Sequence, residues 1–310
     1  MPRPLRSGDK VRFVSPASTP DRDDVLGAAA ILQNWGLAVD FGEHAFAKLN
    51  YLAGTDEQRL SDFNLALRDP TIHAIFATCG GKGSYRIADQ LDFAAARNDP
   101  KFVVGFSDIS ILHMALFRHG IGGGIHGAIQ GDERDGPSSP AAVSLKDLLL
   151  LGDDVTLRGR ANEATATLTT SGHAEGPLVG GNLDMVATAA GWALPKLDGC
   201  ILLLEAVNMF LGQVDRHLSM LGKAGHLAGV AGIALGQFTD FKTSGSLTIL
   251  DLLREHLAPL GVPILGGLPL GHGDGAASLP LGYRTRLDAD RAELTVFRSA
   301  GGSVAHGPCI

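Results

Sequence analysis

The chain has 310 residues, 45% of them hydrophobic and 19% charged, with a formal net charge of −7; it is globular, not disordered, and long enough for one large or two medium domains. The acidic balance, without a long run of Lys or Arg, excludes nucleic acid as the expected partner, and no stretch reaches the ~18 apolar residues of a membrane span. The first ten residues lack the apolar segment of a secretory signal, and the three cysteines, Cys79, Cys200 and Cys309, have no metal-type spacing, so a cytoplasmic protein with reduced thiols, no metal and no cofactor is expected.

Over the first 130 residues strands and helices alternate. Residues 11–15 read as a strand entering the turn Pro16-Ala17-Ser18, and 21–35 as a helix with Gly36 placed for a left-handed C-cap. Residues 37–41 are a second strand. Thr55 and Gln58 form a capping box that opens a helix to about Arg68. A third strand, 74–78, leads into the glycine turn Gly80-Gly81-Lys82-Gly83, and a helix is expected over 84–96. Residues 101–106 form the fourth strand and 108–117 the next helix, ending at Gly120; Gly124 begins a fifth strand. Such alternation predicts a parallel sheet covered by helices, with active residues at the carboxyl ends of the strands.

The pattern breaks after residue 130. Residues 131–140 are a loop by composition, and 136–174 read as a linker carrying a helix over 141–151 and a strand pair. The organisation is thus an N-terminal nucleophile domain (1–135), the linker, and a C-terminal domain (175–310). In the latter a helix follows Gly180-Gly181-Asn182. Strands are expected at 200–205, 230–235 and 262–265, helices at 211–221 and 247–257, and a hairpin over 284–297 turning at 288–290. Trp192 is read as core.

Ser107 stands between the fourth strand and its helix. A serine at a sharp strand-to-helix turn presents its hydroxyl beside a helix N-terminus, and the next backbone N–H, that of Asp108, can donate to an oxyanion. The second glycine of such elbows is absent, since Ile109 follows by two. A capping role for Ser107 fits the local sequence equally well. A serine nucleophile needs a base and an orienting carboxylate. Of 11 histidines, most lie in or beside polar or amphipathic segments; His113 is read as packed inside its helix. His272 differs, because Gly271 and Gly273 flank it after an apolar segment. Glu205 ends the run Ile201 to Leu204, where a buried acid must be paired. It can orient a histidine, or be tied to backbone N–H groups or Arg216.

These residues resemble the serine LD-carboxypeptidases, the family that also contains the microcin C immunity peptidases. The resemblance spans nearly the whole chain in order: Ser15-Pro16-Ala17, Tyr51 to Arg59, the Gly80 turn, Gly105 to Ile109, His126-Gly127, Gly180 to Leu183, Leu203 to Glu205, Leu268 to His272 and Leu279 to Gly282. It implies the triad Ser107, Glu205 and His272. It also implies an α/β fold: an N-terminal parallel-sheet domain carrying the nucleophile elbow and a C-terminal α/β domain with barrel character, meeting at the active site. The oxyanion donors are then the N–H groups of Asp108 and Gly81, and Ser15, Lys82 and His126 are candidate substrate-binding residues. The implied reaction is release of a terminal D-amino acid from murein tetrapeptide, and relatives imply a homodimer.

Two departures bear on specificity. The family's turn is typically Arg-Gly-Gly-Tyr-Gly where this chain has Cys79-Gly-Gly-Lys-Gly83, and Ala206 follows Glu205 where Asp is usual. Cys79 has no elbow of its own and reads as a packed side chain. Gly122 to Gly127 matches a dinucleotide-binding pattern in reversed context, and the Gly80 turn fails the phosphate-loop spacing. The alternatives are hydrolysis of aminoacyl- or peptidyl-nucleotide amides and, from another class, a non-catalytic two-domain receptor for a small ligand. The glycines beside His272 and the irregular linker leave room for the two halves to shift around a substrate.

Overall fold

The apolar runs of the first half form five short strands: β1 (Lys10–Val14), β2 (Ala38–Phe41), β3 (Ile72–Ala77), β4 (Phe102–Gly105) and β5 (Gly124–His126). They are seen in a computed structural model of the chain that describes residues 1–129 and 138–298. All five run parallel in the order β2-β1-β3-β4-β5, and β11 (Leu279–Pro280) adds antiparallel to β5. The order reverses beside β1, so the carboxyl ends of β1 and β3 frame a crevice and β4 lies next to it.

Local chemistry accounts for the helices. Asp21 accepts from the amides of Asp23 and Asp24 to start α1 (Arg22–Asn34), and the Thr55/Gln58 capping box opens α2 (Asp56–Arg68). Gly36 takes φ 87 after α1, the left-handed conformation expected of it. The helix expected over 84–96 does not form as one piece. Two 3₁₀ turns, Ser84–Arg86 and Ala88–Gln90, precede α3 (Phe93–Asn98). Ser84 is held by Asp108, Leu91 is extended, and Asp92 restarts the helix by capping Ala95. After β4, a 3₁₀ turn at Ser107–Ile109 runs into α4 (Ser110–Arg118).

In the second half, β7 (His173–Asn182), β8 (Ile201–Val207), β9 (Gly232–Thr239) and β10 (Ile264–Leu265) are parallel neighbours. The hairpin β12 (Arg284–Asp288) and β13 (Glu293–Val296) joins β7 to β6 (Val155–Arg158), giving the order β10-β9-β8-β7-β12-β13-β6. The two edges approach: just past β6, Arg160 N–H donates to Gly267 O, just past β10, at 2.7 Å, and the segment between β6 and β7 holds β10 itself, Thr170 N–H donating to Ile264 O at 2.9 Å. This mixed sheet therefore curls into the barrel-like form expected. Helices α6 (Leu183–Ala189), α7 (Leu211–Lys223) and α8 (Ile249–Leu257) cover it.

β7 is the element that composition hides. Its Gly176, Pro177, Gly180 and Gly181 look like loop, yet a Cβ at Gly176 would lie 2.0 Å from Gly199 O and one at Gly180 2.2 Å from Leu203 O. The glycines permit close pairing with the neighbouring chain. In the segment between the halves, α5 (Pro140–Leu150) packs on the first sheet through Ala142, Leu145, Leu148 and Leu149, whereas β6 belongs to the second. The boundary at 135, most of the 131–140 loop and Cys309 lie outside the described residues. Trp192 is not core: it is 36% exposed, its indole N–H donating to Thr188 O.

The halves share one apolar core. A single cluster runs from Val14, Phe63 and Leu112 to Leu183, Leu202 and Leu235. Among the described residues no helix is long and apolar enough to cross a membrane.

Candidate active site

Ser107 sits at the carboxyl end of β4 with φ 60, a left-handed conformation that is costly for a residue with a Cβ. Neither helical segment after β4 has a side-chain cap, so the strained turn does not serve capping. Gly105 makes the bend possible: a Cβ there would meet Ile109 Cγ2 at 2.8 Å and Ala77 Cβ at 3.1 Å. Ile109, standing where a second glycine is usual, packs over Gly105. Ser107 is half-buried.

The glycine turn after β3 presses on this elbow. A Cβ on Gly80 would lie 3.0 Å from Ser107 Cβ and 3.2 Å from its Oγ. Gly81 has φ 95, and a Cβ there would meet Ser18 Oγ at 2.4 Å. Ser18 fastens the turn, donating N–H to Gly80 O at 3.2 Å and accepting from Lys82 N–H at 3.0 Å. Asp108 fastens its far end: its Oδ2 accepts from the Ser84 N–H at 2.8 Å and the Ser84 hydroxyl at 2.6 Å. Burial pushes the Asp108 pKa up, against the lowering effect of these bonds. The turn and the elbow are thereby tied at both ends.

Glu205 is fully buried at the register shift between β8 and β9, where Leu204 pairs Leu235 but Ala206 pairs Phe238. Such a bulge re-aims side chains. Glu205 Oε2 lies 2.8 Å from His272 Nδ1, and among the described residues no bond to Arg216 or backbone N–H competes. Two glycines make room for the carboxylate: a Cβ at Gly271 would lie 2.9 Å from Oε2 and one at Gly236 3.1 Å from Glu205 Cβ. The His272 ring lies against Phe106, centroids 4.8 Å apart, one residue before Ser107. A carboxylate and an imidazole from the second half thus meet the turn that carries Ser107 in the first.

The remaining candidates fall in different settings. Lys82 is exposed on the glycine turn. Ser15 is 3% exposed, its hydroxyl bonded to Ala45 O at 2.5 Å and Thr78 Oγ1 at 2.6 Å. His126 is 1% exposed at the end of β5, in edge contact with Phe106 at 5.9 Å. Burial, opposed by the charge of Glu205, holds its pKa down at about 4, so it is neutral. Cys79 gives its thiol to Ser18 O at 3.2 Å, and burial pushes its pKa up to about 11. That is an inert thiol.

Gln237 carries a role that sequence reasoning did not find. At the bulge in β9 it accepts from Gly273 N–H at 3.0 Å and donates to Asp274 O at 3.2 Å. Arg160 adds bonds to Asp274 O and Gly275 O at 3.3 and 2.9 Å. Together they pin the loop that carries His272. Only the register of two strands places Gln237 there, so no local signal marks it. Among the described residues no group of His, Cys, Asp and Glu has the arrangement of a metal site.

Comparison with known proteins agrees with this architecture. Residues 11–127 match the LD-carboxypeptidase N-terminal domain and 175–287 the LD-carboxypeptidase C-terminal domain. A probable murein peptide carboxypeptidase of Bacillus subtilis is 31% identical over 97% of this chain and 94% of its own. The murein tetrapeptide carboxypeptidase of Pseudomonas aeruginosa is 32% identical over 91% and 94%. The solved structure of a microcin C7 self-immunity protein, in complex with aspartyl sulfamoyl adenosine, superposes with TM-score 0.85 at 24% identity, covering 96% of this chain and 98% of that one, a likeness of fold. The chain belongs to the LD-carboxypeptidase family and is a peptidase, not a non-catalytic receptor.

Proposed function

We propose that the protein is a serine peptidase that releases the terminal D-amino acid from murein tetrapeptide, using Ser107, His272 and Glu205. The observation that carries this reading is the pairing of the buried Glu205 with the partly buried His272, 2.8 Å apart, the imidazole packed beside the strained Ser107 turn. His272 takes the Ser107 proton through Nε2 as Oγ attacks the scissile carbonyl, while Glu205 holds the proton on Nδ1 and balances the imidazolium. The N–H groups of Asp108 and Gly81 receive the oxyanion; one such donor contributes roughly 3 kcal/mol. His272 then protonates the leaving amine, and water attacks the acyl-enzyme by the same route in reverse. Murein tetrapeptide as substrate rests on the relatives, and a cytoplasmic setting and a homodimer belong to the same proposal.

A second reading has one observation in its favour. Phe210 is 81% exposed, five residues past Glu205 at the carboxyl end of β8, where an aromatic can stack on a nucleobase. Trp192 follows α6 at the other end of the sheet and does not serve. Assaying the purified protein against murein tetrapeptide and an aminoacyl sulfamoyl adenylate decides between the readings. Release of D-alanine at least tenfold faster, in kcat/KM, supports the first; the reverse preference overturns it.

A further inference from the structure

The described residues around the elbow offer few free cations. Two positive side chains act on Asp108, the residue after the nucleophile: Lys82 and Arg59. Arg59 is committed. Its side chain is fully buried, with Nη1 donating to Gly83 O at 2.9 Å and to Pro16 O, and Nη2 paired with Asp56. Lys82 is the opposite case, exposed and without an ion pair among the described residues. Its backbone is fixed by Ser18, so only the side chain is left to move.

Reach matters next. In a peptide ending in a D-amino acid, the terminal carboxyl carbon lies about 4 Å from the scissile carbon. A cation serving that carboxylate must therefore stand within roughly 8 Å of Ser107 Oγ. Gly80 abuts Ser107, and two residues of chain span at most about 7 Å. The four-carbon stem of Lys82 is long enough to carry its ammonium back over the elbow. Close by, the carboxylate of Asp108 repels a substrate anion, which an unpaired ammonium on the same rim offsets.

We propose that Lys82 is the specificity-determining residue that binds the free α-carboxylate of the substrate's terminal residue. This rests on the serine carboxypeptidase reading and adds to it the reason that cleavage is confined to the chain end. A free carboxylate forms a charge-assisted bond with Lys82, and an internal peptide or a carboxamide does not.

The test reads binding, so that it stands apart from turnover. Calorimetry on the Ser107→Ala protein compares a murein tetrapeptide ending in D-alanine with the same peptide as its C-terminal carboxamide. The free acid is expected to bind about 10- to 100-fold more tightly, the range of one charge-assisted bond. Adding Lys82→Met brings the two ligands to within about threefold, and Lys82→Arg keeps the preference. Equal affinities in the Lys82 protein, an undiminished preference with Met, or no binding of either ligand overturns the proposal. Failure of the wild-type protein to hydrolyse the peptide counts against the serine carboxypeptidase reading alone, because the binding comparison does not depend on it.

Discussion

Glu205→Gln changes the charge of a buried group and almost none of its volume. In the wild type, Oε2 accepts from His272 Nδ1 at 2.8 Å, while Oε1 is buried without a partner among the described residues. An amide has two ways to fit. With its nitrogen towards the ring it donates to Nδ1, forces the proton onto Nε2 and leaves the imidazole unable to take the Ser107 proton. With its oxygen towards the ring the tautomer survives, but the imidazolium formed on attack has no counter-charge. At 2.8 Å and an effective dielectric constant of about 20, that counter-charge is worth at most roughly 6 kcal/mol. Such a loss is on the order of 10⁴ in rate. The assay is release of D-alanine from murein tetrapeptide at neutral pH, giving kcat and KM, beside a thermal melt. The expected result is a kcat about 10⁴ lower with stability within about 1 kcal/mol, since a neutral amide is easier to bury than a carboxylate. A folded variant with kcat within tenfold of wild type refutes the orienting role and makes Glu205 a structural acid.

Ser107→Ala and Ser107→Gly each lower kcat by on the order of 10⁶, but the glycine form melts as though about 1 kcal/mol more stable than the alanine form, because only glycine accepts φ 60 freely; equal melting temperatures contradict the strain. With its pKa pushed up to about 11, Cys79 is roughly one part in a thousand thiolate at pH 8, so the folded protein keeps its activity through iodoacetamide treatment and through Cys79→Ala; loss in both points to a thiol mechanism. Burial holds the pKa of His113 down at about 3 and of His126 at about 4, so between about pH 6.5 and 4 the unfolded chain binds protons that the folded chain refuses. Stability is full above that window and falls as the pH drops through it, by up to about 1.4 kcal/mol per unit for each histidine; melts of His113→Gln across the window show a shallower loss, and an unchanged slope removes His113 from the account.

The parts of this fold written in short-range chemistry were legible in the sequence. Apolar runs such as Phe102 to Val104 announce buried strands, and Asp21 and Thr55 announce helix starts, because caps and strand cores depend on neighbours in the chain. Ser107, Glu205 and His272 stood out for a related reason: each is a polar group placed against apolar sequence or glycine. What long-range contacts decide was not legible. The stretch from Ser84 to Ala96 has helical composition, yet the grip of Asp108 on Ser84 breaks it into turns. β7 reads as loop because its glycines answer to the carbonyls of a neighbouring strand. Gln237 reaches the His272 loop only through the bulge opposite Glu205.

Free glycines and an irregular linker lead one to expect halves that swing together on the substrate, and the packing argues for something more rigid. β11 comes from the second half but is paired in the first sheet, Leu279 opposite His126. Asn182 N–H donates to Ser110 Oγ at 3.1 Å, and Arg118 donates to Leu194 O at 3.0 Å across the same boundary. Separating the halves would break these bonds and open the common cluster around Leu112, Leu183 and Leu202, where each buried leucine contributes about 2 kcal/mol. A hinge of that kind is too expensive for a protein stable by about 5–15 kcal/mol. His272 is consequently held towards the elbow before any substrate arrives, by Glu205, Phe106 and the Gln237 and Arg160 bonds to its loop. Fixed dipoles and donors need no reorganisation during reaction, which is what oxyanion stabilisation requires. On the readings proposed above, the motion left for substrate capture is then local: the Lys82 side chain on the glycine turn, and the exposed Phe210 beyond β8. On the proposed mechanism, differences in substrate choice within this fold should therefore lie in those rim side chains, while the shared core keeps Ser107, His272 and Glu205 in one place.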